Sequence, residues 1–110
     1  MKGKLQLERV NSRYVFTLKA FNGWRLLTSE RHKAKAAALK AIELVTECAD
    51  NDAHYECKLA GNDQYYFVLK SASGEILATS RIYSSEPAMK QGIAAMKRNM
   101  RLAVFKDLTG

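Results

Sequence analysis

Two histidines, His32 and His54, and two cysteines, Cys48 and Cys57, are the side chains here best suited to ligate a metal or activate a nucleophile. Their spacing argues against both roles. No second histidine or cysteine stands at a zinc-ligand interval, and there is no CxxC pair. His54 and Cys57 are three residues apart, so on a strand they point to opposite faces and make a poor catalytic couple. The two cysteines read as reduced thiols rather than a disulfide. Gly61 is followed by Asn62-Asp63-Gln64, and Lys70-Ser71 has no glycine before it, so the phosphate-cradling loop is absent. No GxSxG or HExxH occurs, and the carboxylates are scattered rather than paired as acid and base. The expectation is a non-enzymatic protein without cofactor or metal.

More informative are polar residues that occur twice. Lys19 and Lys70 end one strand in each half of the chain and are candidates to bind a phosphate or carboxylate near a pseudo-twofold axis. A solvated lysine that limits edge pairing is the plainer role. Thr28-Ser29 and Thr79-Ser80 close the following strand, where hydroxyls can donate to a ligand oxygen or satisfy backbone groups at the strand end. A third group, Lys90, Lys97, Arg98 and Arg101, lies off the apolar stripe of a helix and offers a basic surface for nucleic acid, or simply a solvated one.

The elements that position these residues follow from an internal repeat. Tyr14, Phe16, Leu18, Lys19, Gly23, Leu26, Thr28, Ser29, Ala37 and Ile42 return, without a gap, as Tyr65, Phe67, Leu69, Lys70, Gly74, Leu77, Thr79, Ser80, Ala88 and Ile93. Such a match leaves room for two copies of one supersecondary unit. Tyr14 to Ala20 alternates with a period of two, placing Tyr14, Phe16 and Leu18 on a core face. Asn22-Gly23 is a hairpin signal, and the chain returns through Trp24 to Thr28. The second copy repeats this with Tyr65–Lys70, Ser73-Gly74 and Glu75–Thr79. A preceding strand is expected near Lys4–Glu8 and Tyr55–Leu59.

The period then becomes helical. Met89, Ile93, Met96 and Met100 form one stripe, matched by Ala38, Ile42, Val45 and Ala49. Ser84 or Ser85 can cap the second helix, and Pro87 fits only its first turn. Short final strands are expected near His54–Lys58 and Ala103–Lys106. On this reading Cys57 corresponds to Gln6.

Leu18-Lys19-Ala20-Phe21-Asn22-Gly23 with Leu26 to Glu30, and Leu69 to Ser80 with Tyr83-Ser84-Ser85 and Gly92-Ile93, resemble the YegP-like tandem-repeat proteins of bacteria. The ending Ala103 to Thr109 fits the same pattern. The resemblance implies a β-β-β-α-β motif used twice in one sheet, with the final strands exchanged between repeats. The family has no settled function. Three positions depart from the pattern: His32 stands where the second copy has Tyr83, Ala41 where it has Gly92, and Arg81 where the first copy has Glu30.

The fold class is therefore α+β, one mainly antiparallel sheet with both helices packed on it. The 110 residues are expected to form one pseudo-dimeric domain, with repeat 1 at about 1–53 and repeat 2 at about 54–110. A half of about 50 residues buries too little apolar surface to stand alone. The net charge of +7 is spread evenly, with ten Lys/Arg against six Asp/Glu in residues 1–53 and eight against five in 54–110. Neither half is a basic tail. No stretch approaches the roughly 18 apolar residues of a membrane span, and no apolar signal core follows Met1, so a cytoplasmic monomer is expected. The function expected is an interaction or ligand-binding module for a protein or small anion. The alternative is a nucleic-acid-binding accessory protein.

Overall fold

In the computed structural model, which describes residues 3–109, the two copies meet strand to strand. The elements run β1 (Lys4–Val10), β2 (Arg13–Lys19), β3 (Arg25–Ser29), α1 (Lys35–Cys48), β4 (Tyr55–Leu59), β5 (Tyr65–Lys70), β6 (Ile76–Ser80), α2 (Glu86–Leu102) and β7 (Val104–Asp107). They form one seven-stranded sheet in the order β4-β5-β6-β3-β2-β1-β7. β3 and β6 pair antiparallel with Thr28 opposite Thr79, so corresponding residues of the two copies face each other at the seam. All neighbours are antiparallel except β7, which runs parallel to β1.

Both helices cover one face, and the core between them and the sheet is shared. Phe16, Leu18 and Leu27 of the first copy join Phe67, Leu69 and Ala78 of the second, with Ala38 and Val45 of α1 and Met89 and Met96 of α2, in one buried cluster. The alternation Tyr14-Phe16-Leu18 delivers this, because it sends every second side chain to the helices. A bulge at the end of each hairpin adds to it. The register shifts at Leu18/Lys19 and at Leu69/Lys70, and Leu26 with Leu27, like Leu77 with Ala78, are consecutive buried residues. Ser85 caps α2 by accepting the Ala88 N–H at 3.2 Å, and Pro87 sits in the first turn.

Two expectations are corrected. The gapless repeat holds from β2 onward but slips by one residue in the first strand. Leu5 pairs with Leu18, whereas Tyr55 pairs with Leu69. The cause is the turn. Asn11 and Ser12 make a two-residue hairpin at φ 50° and 65°, while Gly61, Asn62 and Asp63 all take positive φ in a turn longer by one. Cys57 therefore stands where Leu7 does, not Gln6. The exchange of final strands also occurs at one end only. β7 leaves the second copy to join β1, but the segment expected as the first copy's final strand, His54–Lys58, is β4 itself. One segment cannot both close a repeat and open the next.

Tyr55 ties three elements together. Its hydroxyl donates to the Ala49 carbonyl at the end of α1 at 2.6 Å, and the Met96 sulfur of α2 lies 2.8 Å away. Burial, with Asp50 and Asp52 nearby, holds the phenol well above its usual value. The folded state thus keeps a proton that the unfolded chain loses above about pH 10, so stability is full below that pH and declines as pH rises past it. Denaturation midpoints measured from pH 8 to 11 should fall above about pH 10. Tyr55→Phe should flatten the decline, leaving a smaller contribution from Tyr83, whose phenol burial also raises. An unchanged pH profile would contradict the assignment.

His32 with Ala41 and Tyr83 with Gly92 are one exchange, not two. His32 and Tyr83 occupy equivalent bridges to Tyr14 and Tyr65 and stack on Phe16 and Phe67, with ring centres 6.5 and 6.3 Å apart. A Cβ on Gly92 would overlap the Tyr83 ring, so the large phenol requires glycine on the helix. The smaller imidazole leaves space for the Ala41 methyl, at the expense of a buried His32 Nε2 with no hydrogen-bond partner among the described residues. His32→Tyr should cost about 1–3 kcal/mol by overpacking. Combining it with Ala41→Gly should recover about 0.5–3 kcal/mol relative to the sum of the single changes, measured by chemical denaturation. Additive losses would rule the pairing out.

Candidate functional site

The helices leave the other face of the sheet uncovered, and strand alternation decides what it displays. Register places Lys106, Gln6, Thr17, Thr28, Thr79, Val68 and Glu56 in a single row across all seven strands. Cations dominate this face: Lys4, Arg13, Lys19, Arg25, Lys58, Lys70 and Lys106, against the carboxylates of Glu8 and Glu56. The side chains of Glu56, Lys58 and Lys70 form one group. Glu56 bonds to Lys70 and lies 3.3 Å from Lys58, and both hold its carboxyl below the usual range.

Lys19 has no such carboxylate. Its β1 neighbour in the place of Glu56 is Gln6, and it is flanked directly by Lys4 and Arg25. Three cations thus stand side by side on β1, β2 and β3, with no carboxylate within ion-pair distance among the described residues. Like charges directly opposite one another on a sheet are destabilising, so the row is not there to hold the fold together. The second copy has no equivalent. There Lys70 pairs with Ile76, and its carbonyl bonds to His54 Nδ1 at 2.9 Å.

Aromatic side chains occupy the turn at the end of this row, on the helix-bearing side of the sheet, where Ala20 packs on the core and Phe21 meets α2. The β2–β3 turn, closed by Ala20 N–H donating to the Trp24 carbonyl at 2.8 Å, carries Phe21 and Trp24, which are 61% and 56% exposed. One face of Trp24 is stacked by the Arg81 guanidinium, 4.1 Å from the ring centre. Arg81 is the residue that differs from Glu30 in the first copy. Beside Phe21, a cleft of about 230 Å³ is lined by Arg98, Asn99 and Leu102.

The sequence candidates are therefore dispersed. Lys19 and Lys70 lie on β2 and β5, separated by β3 and β6, and do not converge. Ser29 and Ser80 are buried on the helix-bearing face. Each accepts a strand N–H, from Phe16 and Phe67, at 2.9 Å and donates to the carbonyl of Glu30 or Arg81 at 2.8 Å. On α2, Lys90 pairs with Glu86, Lys97 with Asp52 and Arg101 with Asp50, leaving Arg98 without an ion pair among the described residues. Lys4, Arg25, Phe21 and Trp24 were not singled out from sequence. Alternation could have placed Lys4 and Lys19 on one face, but only the pairing register brings Arg25 alongside.

These placements separate two roles by measurement. Ser80→Ala leaves the Phe67 N–H unpaired in the core and should lower stability by about 1–3 kcal/mol. Lys19→Ala relieves like-charge crowding and should leave stability within about 0.5 kcal/mol or raise it. A Lys19→Ala loss as large as that of Ser80→Ala in urea denaturation would make Lys19 a structural residue.

Comparison with known proteins agrees with this architecture. The family model described as "Domain of unknown function (DUF1508)" matches twice, at residues 10–56 and 60–107. A UPF0339 protein of Acinetobacter baylyi is 45% identical over 100 residues, spanning 91% of this chain and 90% of its own. YegP of Escherichia coli O157:H7 is 37% identical over 99% of this chain and 100% of its own. The solution structure of E. coli YegP, a protein of unknown function, superposes with a TM-score of 0.92 at 36% identity, covering 100% of this chain and 96% of that one. That of a UPF0339 protein of Shewanella oneidensis gives 0.92 at 38%, covering 99% and 93%. With both copies matched along nearly the full chain, this protein belongs to the UPF0339/YegP family of uncharacterised bacterial proteins, built from two DUF1508 repeats.

Proposed function

We propose that this chain is a non-catalytic binding module of the cytoplasm, that its ligand is anionic, and that the row Lys4, Lys19 and Arg25 on the uncovered sheet face is where the ligand docks. The observation that carries the reading is that row: three cations on adjacent strands, with no ion pair among the described residues to offset the repulsion between them. Phe21 and Trp24, exposed in the turn joining two of those strands, favour single-stranded nucleic acid as the ligand. Phosphates would lie along the cations, and the strand would turn over the end of the sheet so that unpaired bases stack on the aromatic rings, a combination that tolerates many sequences. The free thiols of Cys48 and Cys57 suit a reducing compartment.

Trp24 is the only tryptophan, so its fluorescence reports on the turn that adjoins the row. Titration with a single-stranded oligonucleotide at low salt should quench it with micromolar affinity. The logarithm of the affinity should fall with the logarithm of salt at a slope of about −2, as expected for three phosphate contacts on a single strand. The double substitution Lys19→Ala and Arg25→Ala should weaken binding to all sequences alike, and a duplex should bind less well because its bases are not free to stack. Inorganic phosphate binding without any change at Trp24 would point to a small anion instead. No response to the single strand at low salt would overturn the nucleic-acid reading, and no response to either probe would overturn the whole proposal.

A further inference from the structure

The first strands of the two equivalent hairpins, β1 and β4, have differently treated outer edges. At one edge β7 lies parallel to β1. The Val104 N–H donates to the Gly3 carbonyl at 3.0 Å and the Leu108 N–H to the Leu7 carbonyl at 2.8 Å. In that register Phe105 stands beside Leu5 on the helix-bearing face, and Asp107 beside Leu7. The Asp107 carboxylate is held by Lys35, at the start of α1, at 2.7 Å.

At the other edge β4 offers the same arrangement without an occupant. Tyr55 and Cys57 take the places of Leu5 and Leu7, and no strand pairs the outer edge of β4 among the described residues. The first copy cannot fill this lane, because the segment that would do so is β4. Between β4 and α2 lie two clefts, of about 390 and 230 Å³, with Tyr55, Cys57 and Leu59 on one side and Met89, Ile93 and Ala94 on the other, and with charged rims at Asp52, Lys90 and Lys97 of the larger and at Lys58 and Glu86 of the smaller. Leu59 is 65% exposed. Glu56 and Lys58, the charges that could guard this edge, alternate to the opposite face, where they pair at 3.3 Å, and only Lys58 reaches the rim of the smaller cleft. The charge at the helix start is reversed as well, since Glu86 begins α2 where Lys35 begins α1, and its only ion pair among the described residues is the exposed one with Lys90 at 3.3 Å, which an incoming cation can share.

We propose that the β4 edge binds an extended segment of another polypeptide by strand addition, parallel to β4 as β7 is to β1. The segment carries an apolar residue beside Tyr55 and, two residues later, a lysine or arginine that meets Glu86. Main-chain hydrogen bonds supply affinity, and the side chains that alternate into the cleft supply selectivity. The chain's own β7 is the wrong occupant, because its Asp107 would face Glu86. This surface is separate from the cation row of the uncovered face, so each can fail without the other.

The probe is a synthetic peptide with the sequence of residues 102–109 carrying Asp107→Lys, compared with the unaltered sequence and followed by amide chemical shifts of the full-length protein. The lysine peptide should shift β4 amides and the first turns of α2, and bind roughly two- to fivefold more tightly than the aspartate peptide, as one exposed ion pair allows. Glu86→Lys should reverse that preference, and a bulky maleimide on the exposed Cys57 should abolish binding of both peptides. Lys19→Ala should leave both affinities unchanged. Shifts at β1 and β7 instead of β4, or none with either peptide at millimolar concentration, would overturn the proposal. So would sedimentation showing that the free protein already pairs with a second copy through β4.

Discussion

The pairing of β3 with β6 is the contact on which the other features depend. With Thr28 opposite Thr79, it brings equivalent strands into register and makes one sheet of two hairpin units. Each half alone would present a strand edge and a helix with too little apolar surface beneath it. Once the seam forms, Phe16 and Phe67 lie under both helices and a single core becomes possible. The wide sheet also has a face that two helices on the other side cannot cover. That face, and the two outer edges, are what the fold leaves available for function.

The parts of this structure readable from sequence were those governed by local period. Alternation in Tyr14-Phe16-Leu18 and in Tyr65-Phe67-Leu69 placed the core strands, and the Met89, Ile93, Met96 and Met100 stripe placed the second helix. What could not be read depends on how strands are paired. One additional turn residue around Gly61 slides β4 by a position and moves Cys57 from the counterpart of Gln6 to that of Leu7. A comparison that starts after the turn does not sense this. The row Lys4, Lys19 and Arg25 was hidden for the same reason, since its members come from three strands and become neighbours only through register. His32 and Ala41 were visible as separate departures. Their common cause is the volume of one ring against one helix, which is a fact of packing.

The candidate surfaces lie where the repeat is broken rather than where it is kept. Repeated residues such as Ser29 and Ser80 are committed to backbone hydrogen bonds in both halves. The unrepeated ones differ in charge or size. Gln6 replaces the carboxylate that neutralises Lys70, leaving Lys19 unopposed. Arg81 replaces Glu30 and stacks on Trp24, which itself stands where the second copy has Glu75. Glu86 replaces Lys35 at the helix start beside the open edge. A shared scaffold with unequal surfaces is how a duplicated unit acquires different tasks in its two halves without disturbing the core.

The parallel alliance of β1 and β7 also has a temporal meaning. Lys4 finds its neighbour in Val104, almost a full chain length away. During synthesis β1 emerges well before β7, so its outer edge stays bare until β7 has been made. Long-range pairings of this kind form late and leave unpaired strands exposed in the meantime. The nascent sheet therefore passes through a period with two open flanks, at β1 and β4, and the arrival of β7 closes only one of them.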